Sequence, residues 1–178
     1  AIVQNAGQTC SAGSRLLVQR SLYEPLLQRL GEAFGRLRAG PPELDLDLGP
    51  LIRASQLERV VTLLDEAERD GIATVARGVV VPEASPTGFF HPPVLLRDVP
   101  VQHRIAQEEV FGPVLCAMPF EDEEDALSLA HATPFGLVAG VWTRDGARQM
   151  RMARALRCGQ VFINNYGAGG GIELPFGG

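Results

Sequence analysis

Short apolar runs that read as strands alternate along this chain with longer stretches whose apolar residues recur at helical spacing, and few folds accommodate that alternation. Strands are expected at residues 16–19, 73–76, 79–81, 94–96, 114–118, 138–142 and 160–163. The first helix is expected over residues 21–37. Ser21 and Glu24 form a capping-box pattern there, Leu22, Leu26, Leu30, Phe34 and Leu37 make an apolar stripe, and Gly40-Pro41-Pro42 ends it. In a second helix Ser55 and Glu58 repeat the cap, Val60, Val61, Leu64 and Ala67 face inward, and Gly71 closes the last turn. Helices over residues 122–132 and 145–157 complete the series, the latter stopped by Gly159. Near-continuous apolar strands need cover on both faces, so the expected class is α/β, a parallel sheet in a three-layer domain. Ligands of such sheets gather at the C-terminal ends of strands. The glycine run at residues 167–171, after Asn164-Asn165-Tyr166, falls at such an end and reads equally well as a pocket loop or a surface connection.

Composition narrows the partners. A chain of 178 residues, 46% hydrophobic and 21% charged, is long enough to bury one domain's core. The net charge of −5 argues against a nucleic-acid partner. Its densest acidic run, Glu121-Asp122-Glu123-Glu124-Asp125, suits the first turn of a helix, where carboxylates complement the dipole. Cys10, Cys116 and Cys158 show no close spacing, so neither a disulfide framework nor a thiolate metal site is indicated, and a cytoplasmic location is expected. His91, His103 and His131 have no metal-ligand spacing either. No apolar run approaches the roughly 18 residues of a membrane span, so no membrane partner is expected. Ala1-Ile2-Val3 reads as part of a strand already under way, and the chain stops at Gly177-Gly178. Both ends are therefore expected to be cuts in a longer polypeptide.

One stretch carries chemistry: Asn5-Ala6-Gly7-Gln8-Thr9-Cys10, followed by Ser11-Ala12-Gly13-Ser14-Arg15, sets a cysteine in a glycine-flanked polar turn ahead of a strand. Flanking glycines permit positive φ and close approach, and free amides beside the sulfur would favour a thiolate and bind an oxyanion. The same pattern also describes a small buried thiol that happens to precede a strand. Local chemistry leaves both readings open.

Five landmarks in order extend the pattern: Asn5-x-Gly7-Gln8-x-Cys10, Gly49-Pro50-Leu51-Ile52, Glu108-Glu109-Val110-Phe111-Gly112-Pro113-Val114, Phe135-Gly136-Leu137 and Leu174-Pro175-Phe176-Gly177-Gly178. On these the chain resembles the aldehyde dehydrogenase superfamily over essentially its whole length. The resemblance implies an oxidoreductase that converts an aldehyde to a carboxylic acid with NAD or NADP. Cys10 would be the nucleophile, Glu109 would accept both hydroxyls of the nicotinamide ribose, Phe111 would pack beside the nicotinamide, and Gln56 would be a polar neighbour of the ribose. Asn5 would orient the turn, and Thr9 and Ser11 would leave the substrate pocket without bulky flanks.

The resemblance also implies that residues 1–178 are the thiol-bearing catalytic domain. The dinucleotide-binding domain, the general-base glutamate of a Glu-Leu-Gly-Gly motif and a C-terminal tail would lie outside this chain, which alone would be inactive. The parent would be a homodimer or homotetramer acting on a small-molecule aldehyde, with water a commoner acyl acceptor than coenzyme A. A cysteine hydrolase or acyltransferase, needing a base but no nicotinamide, and a non-catalytic relative with an unreactive Cys10 are the alternatives.

Overall fold

The structure, a computed structural model, describes residues 1–166 and 175–177. The glycine run at 167–171, Leu174 and Gly178 lie outside the described residues. The strands are β1 (Arg15–Gln19), β2 (Arg38–Ala39), β3 (Thr74–Arg77), β4 (Val79–Val80), β5 (Val94–Leu96), β6 (Val114–Phe120), β7 (Val138–Val141) and β8 (Gln160–Ile163). The α-helices are α1 (Arg20–Arg36), α2 (Ala54–Arg69), α3 (Arg104–Gln107), α4 (Glu123–Ala130) and α5 (Gly146–Ala155). A four-stranded sheet runs β1-β6-β5-β3. β1, β6 and β5 are mutually parallel, in register from Arg15 opposite Cys116 to Leu96 opposite Cys116 on the other side.

Side-chain alternation on the central strands makes the three layers. Val94, Leu96, Val114, Cys116 and Met118 point to one face, where Val60, Leu63, Leu64 and Ala67 of α2 and Ile105 of α3 meet them. Leu95, Leu115 and Ala117 point to the other, against Tyr23, Leu27 and Phe34 of α1. Each strand is thus apolar throughout because both of its faces are covered.

The expected class holds, with corrections. β3 pairs antiparallel to β5, against an expectation of a wholly parallel sheet. A parallel return needs a crossover, usually a helix. The Pro-rich connection from β3 to β5 contains only the short β4, which pairs with β2 instead, so the chain returns along the sheet edge. β7 and β8 form a separate parallel pair linked by α5. Residues 1–3 are not strand; a short 3-10 segment, Gln4–Gly7, follows them.

Helix starts also differ. β1 runs into α1 without a loop, so α1 begins at Arg20, one residue before Ser21, and its cap position, Gln19, makes no side-chain bond. Likewise Arg53, not Ser55, precedes α2, again without a capping bond. Side-chain caps do occur on α4 and α5. Asp122 accepts from the Glu124 and Asp125 amides, and Asp145 from those of Ala147 and Arg148. The acidic run therefore does fill the first turn of α4. Gly71 closes α2 as expected, at φ +83° with the Ile72 amide bonded to Ala67 O at 2.9 Å.

Candidate active site

The thiol turn is built by an unusual backbone. Asn5, Ala6 and Gly7 lie successively at φ 49°, 52° and 75°, a left-handed run that costs roughly 1–2 kcal/mol per non-glycine residue. Reciprocal amide bonds hold it: Asn5 Nδ2 donates to Gln8 O at 3.0 Å, and Gln8 Nε2 donates to Asn5 O at 3.1 Å. The other end of Gln8 accepts from the Ile52 amide at 2.8 Å. Asn5 thus shapes the turn, as expected of it, and Gln8 fastens the turn to the Gly49-Pro50-Leu51-Ile52 segment. The sequence offered a signal for that bond only in the ordered recurrence of the two motifs.

Beyond Gln8 the chain turns at Thr9-Cys10-Ser11-Ala12, closed by the Ala12 amide on Thr9 O at 2.9 Å. Cys10 is exposed at its corner. Among the described residues, neither the Cys10 nor the Ser11 amide donates to a protein acceptor. A thiol presented beside two free donors matches the first of the two readings of this stretch and not the packed one. Ser11 itself is only 4% exposed, so its side chain packs inward. Of the flanking glycines only Gly7 uses positive φ; Gly13 makes room for Ala1 and the Tyr166 ring. The other cysteines contrast with Cys10. Cys116 is buried in β6, where loss of hydration pushes its thiol up to about 12, and Cys158, half-buried after α5, donates to Gln160 O at 3.4 Å.

Gly7 joins this turn to the second motif. A Cβ there would lie 2.2 Å from Gly112 O, so the two backbones are in direct contact. Just before Gly112, Phe111 sits at φ 55°, a strained conformation for a bulky residue. Gln56 of α2 holds it there: its Nε2 donates to Val110 O at 2.9 Å and to Phe111 O at 2.8 Å. Three residues further along α2, Arg59 donates to Glu108 Oε2 at 3.0 Å and Glu109 O at 2.9 Å. Glu108 is also paired with Arg104, which in turn grips Glu66. Arg104 first and Arg59 second hold the Glu108 carboxyl below its ordinary range. Glu109 is left exposed, with no side-chain bond among the described residues. Gln56, Arg59, Glu108, Glu109, Phe111 and Phe135 line a cleft of about 470 Å³.

The structure therefore brings Glu109, Phe111 and Gln56 to one cleft. Cys10 is not in its lining but is coupled to it through the Gly7–Gly112 contact. Sequence reasoning missed Arg59, whose signal was its position one helical turn after Gln56. Both loops enter the parallel strands β1 and β6, so the site lies at strand N-terminal ends, not the C-terminal ends that ligands of such sheets usually occupy. A second depression of about 460 Å³, between His131, Thr133, Arg157 and Gly177 among others, shares Phe135 with the first but holds none of the candidate catalytic or cofactor residues.

An exposed cysteine on a tight turn thus abuts a carboxylate- and phenylalanine-lined cleft in a three-layer α/β domain. Known proteins specify the class further. The model of the aldehyde dehydrogenase family matches residues 1–178, and the chain belongs to that family. It is 39% identical over 176 residues to betaine aldehyde dehydrogenase 1 of Rhizobium meliloti, covering 98% of this chain and 36% of that protein. Among solved structures, a Burkholderia cenocepacia protein assigned as an aldehyde dehydrogenase is 66% identical, with a TM-score of 0.97 over 99% of this chain and 37% of that one. The NAD+ complex of the aldehyde dehydrogenase of Bacillus cereus is 34% identical, with a TM-score of 0.90 over 99% and 35% respectively. The chain spans about a third of the length of these relatives.

Proposed function

We propose that this chain is the thiol-bearing part of an NAD(P)-dependent aldehyde dehydrogenase, with Cys10 as nucleophile. The observation that carries the reading is the direct contact of Gly7 with Gly112, which couples the presented thiol to the Glu109 and Phe111 cleft. The cleft residues suit the nicotinamide ribose end of the cofactor. Glu109 has two unspent acceptor oxygens for a pair of ribose hydroxyls, Phe111 offers a ring, and Gln56 retains its Oε1 while its amide nitrogen holds the Phe111 turn. Bound there, NAD(P)+ supplies a two-electron acceptor for the aldehyde.

The chain's own residues do the rest. The Cys10 thiolate adds to the aldehyde carbon, forming a C–S bond while the carbonyl π pair moves to oxygen, and the Cys10 and Ser11 amides are free to receive that oxyanion. As the oxyanion collapses, the former aldehyde C–H bond breaks and its hydrogen leaves with the electron pair, which the oxidised cofactor would accept, so that a thioester remains on Cys10. Water attacks its carbonyl, the C–S bond breaks, and the thiol and a carboxylic acid are released. Water is the acceptor we favour over coenzyme A, and a small-molecule aldehyde is the substrate. Betaine aldehyde, from the names of relatives, is the first to try. We assign the general base and the dinucleotide-binding domain to sequence outside these 178 residues, which alone would produce no NADH, and the parent to a homodimer or homotetramer. Among the described residues no helix is long and apolar enough to cross a membrane; we assign the parent to the cytoplasm.

The test uses the complete enzyme. Incubation with aldehyde and oxidised cofactor is expected to leave an acyl group on the Cys10 peptide, and Cys10→Ala to lower turnover by at least ~10³-fold. Acylation that proceeds equally without oxidised cofactor would identify a hydrolase or transferase instead. No acylation at all would leave only a non-catalytic relative.

A further inference from the structure

The Ser11–Ala12 peptide, immediately after the nucleophile, is held from both sides. Its N–H closes the turn on Thr9 O at 2.9 Å, and its carbonyl accepts a hydrogen bond from the hydroxyl of Tyr166, 155 residues away. Hydrogen bonds on both ends of one peptide polarise each other, so each strengthens the other. The Tyr166 ring lies over Gly13, 4.0 Å from where a Cβ would project. Burial, the largest influence, holds that hydroxyl above the ordinary tyrosine range, so its proton is present at neutral pH.

Tyr166 is itself anchored, independently of the thiol turn. Asn164, at φ 49° just beyond β8, accepts from the Thr143 amide at 2.9 Å and donates to Thr143 O at 3.0 Å. That clamp on both backbone groups of Thr143 fixes the exit of β8. The Tyr166 amide then donates to Asn165 Oδ1 at 2.8 Å. The chain thus runs from the clamped exit of β8 to the residue beside the nucleophile.

We infer that Tyr166 is a positioning residue for Cys10: its hydroxyl, borne on the β8 exit and gripping Ser11 O, sets the turn that carries the sulfur. The inference rests on Cys10 being the nucleophile and adds to it the group that orients its loop. It contributes no atom to the substrate. Without that bond the turn keeps its own closure but loses the anchor on the side of the nucleophile away from Gln8, and the peptide after Cys10 is held less firmly.

The test is peptide-resolved alkylation by iodoacetamide across pH on the full 178-residue chain, with Cys158 as internal reference. A net hydrogen bond of about 0.5–1.5 kcal/mol corresponds to roughly 2- to 10-fold. Tyr166→Phe, which keeps the ring, is expected to slow Cys10 labelling at neutral pH by that factor and to displace its rate–pH curve to higher pH, with Cys158 unchanged. An identical Cys10 curve in both proteins overturns the positioning role and leaves the nucleophile assignment standing. Wild-type Cys10 labelling no faster than that of Cys158 overturns both. If Tyr166→Phe does not fold, the wild-type hydroxyl proton decides. A slowly exchanging resonance with a cross-peak to Ser11 or Ala12 supports the inference, and fast exchange overturns it.

Discussion

At the scale of single residues, two glycines with similar backbone angles have different reasons to be glycine. Gly71 has φ +83° and open space around it, so a methyl group there meets only the intrinsic left-handed penalty. Gly7 has φ +75° and Gly112 O at 2.2 Å from the added carbon, so Gly7→Ala must also push apart the backbones of the thiol turn and the Phe111 turn. Gly71→Ala is expected to lower stability by about 1 kcal/mol, and Gly7→Ala by several kcal/mol, at least ~3. Urea unfolding of the two variants checks the order; equal losses would mean that the Gly7–Gly112 contact gives readily. The sequence showed both glycines but not this difference. Gly71 follows a helical stripe, and so its capping role is local and legible. The partner of Gly7 is a carbonyl more than a hundred residues away, visible only once β1 and β6 are side by side.

At the scale of elements, helix α1 shows what periodicity conveys and what it misses. Its existence was legible from leucines recurring every four residues, yet its buried face was misphased. Tyr23, Leu27 and Phe34 are the buried positions, while Leu22 is 59% exposed. A strict four-residue spacing drifts around a helix of 3.6 residues per turn, so the stripe from Leu22 crosses from solvent to core, leaving Leu26 and Leu30 only partly buried. Tyr23 escaped notice because its hydroxyl reads as polar. In place it donates to Ala117 O at 3.2 Å and accepts from the Asp98 amide at 2.8 Å, which satisfies it inside the core. Leu27→Ala, at 1% exposure, is expected to cost about 2–5 kcal/mol, whereas Leu22→Ala should stay within roughly 0.5 kcal/mol. Thermal or urea midpoints distinguish them, and the opposite order would refute this facing of α1 on the sheet. The same limit explains the site. Cys10, Glu109 and Phe111 were each legible as motif members and Gln56 as a candidate implied by the resemblance alone, but the Gln56 bonds to Val110 and Phe111 carbonyls, the Arg59 pair and the Tyr166 bond all depend on how α2, the 108–111 loop and the β8 exit are packed. Packing of that kind has no local signature in the sequence.

At the scale of the whole molecule, stability in mild acid is set by one buried imidazole. His91 is 6% exposed, and among the described residues its Nδ1 has no hydrogen-bond partner. Burial, the dominant cause, lowers its pKa from 6.5 to about 4, opposed by the Pro92 backbone and helped to a lesser extent by the Arg77 guanidinium. The unfolded chain therefore takes up a proton on His91 at a pH where the folded chain refuses it. The stabilisation is whole above the unfolded value of 6.5 and is lost as pH falls toward about 4, by about 3 kcal/mol in total. Carboxylates act in the same direction but lower. Glu123, drawn down to about 2 by Arg151 and then Arg148, and Glu108 beside Arg104 both favour folding above the ordinary carboxylate range and lose that contribution only in stronger acid. They sit on the surface, where ion pairs contribute little. Of the described groups with a shifted pKa, His91 is the one that acts between pH 6.5 and about 4. Urea unfolding across it should show the free energy falling with pH along a slope approaching one proton, and His91→Leu should remove most of that slope while leaving the loss in stronger acid in place. A wild-type curve flat from pH 7 to 5 would mean that His91 gains a partner or water in solution.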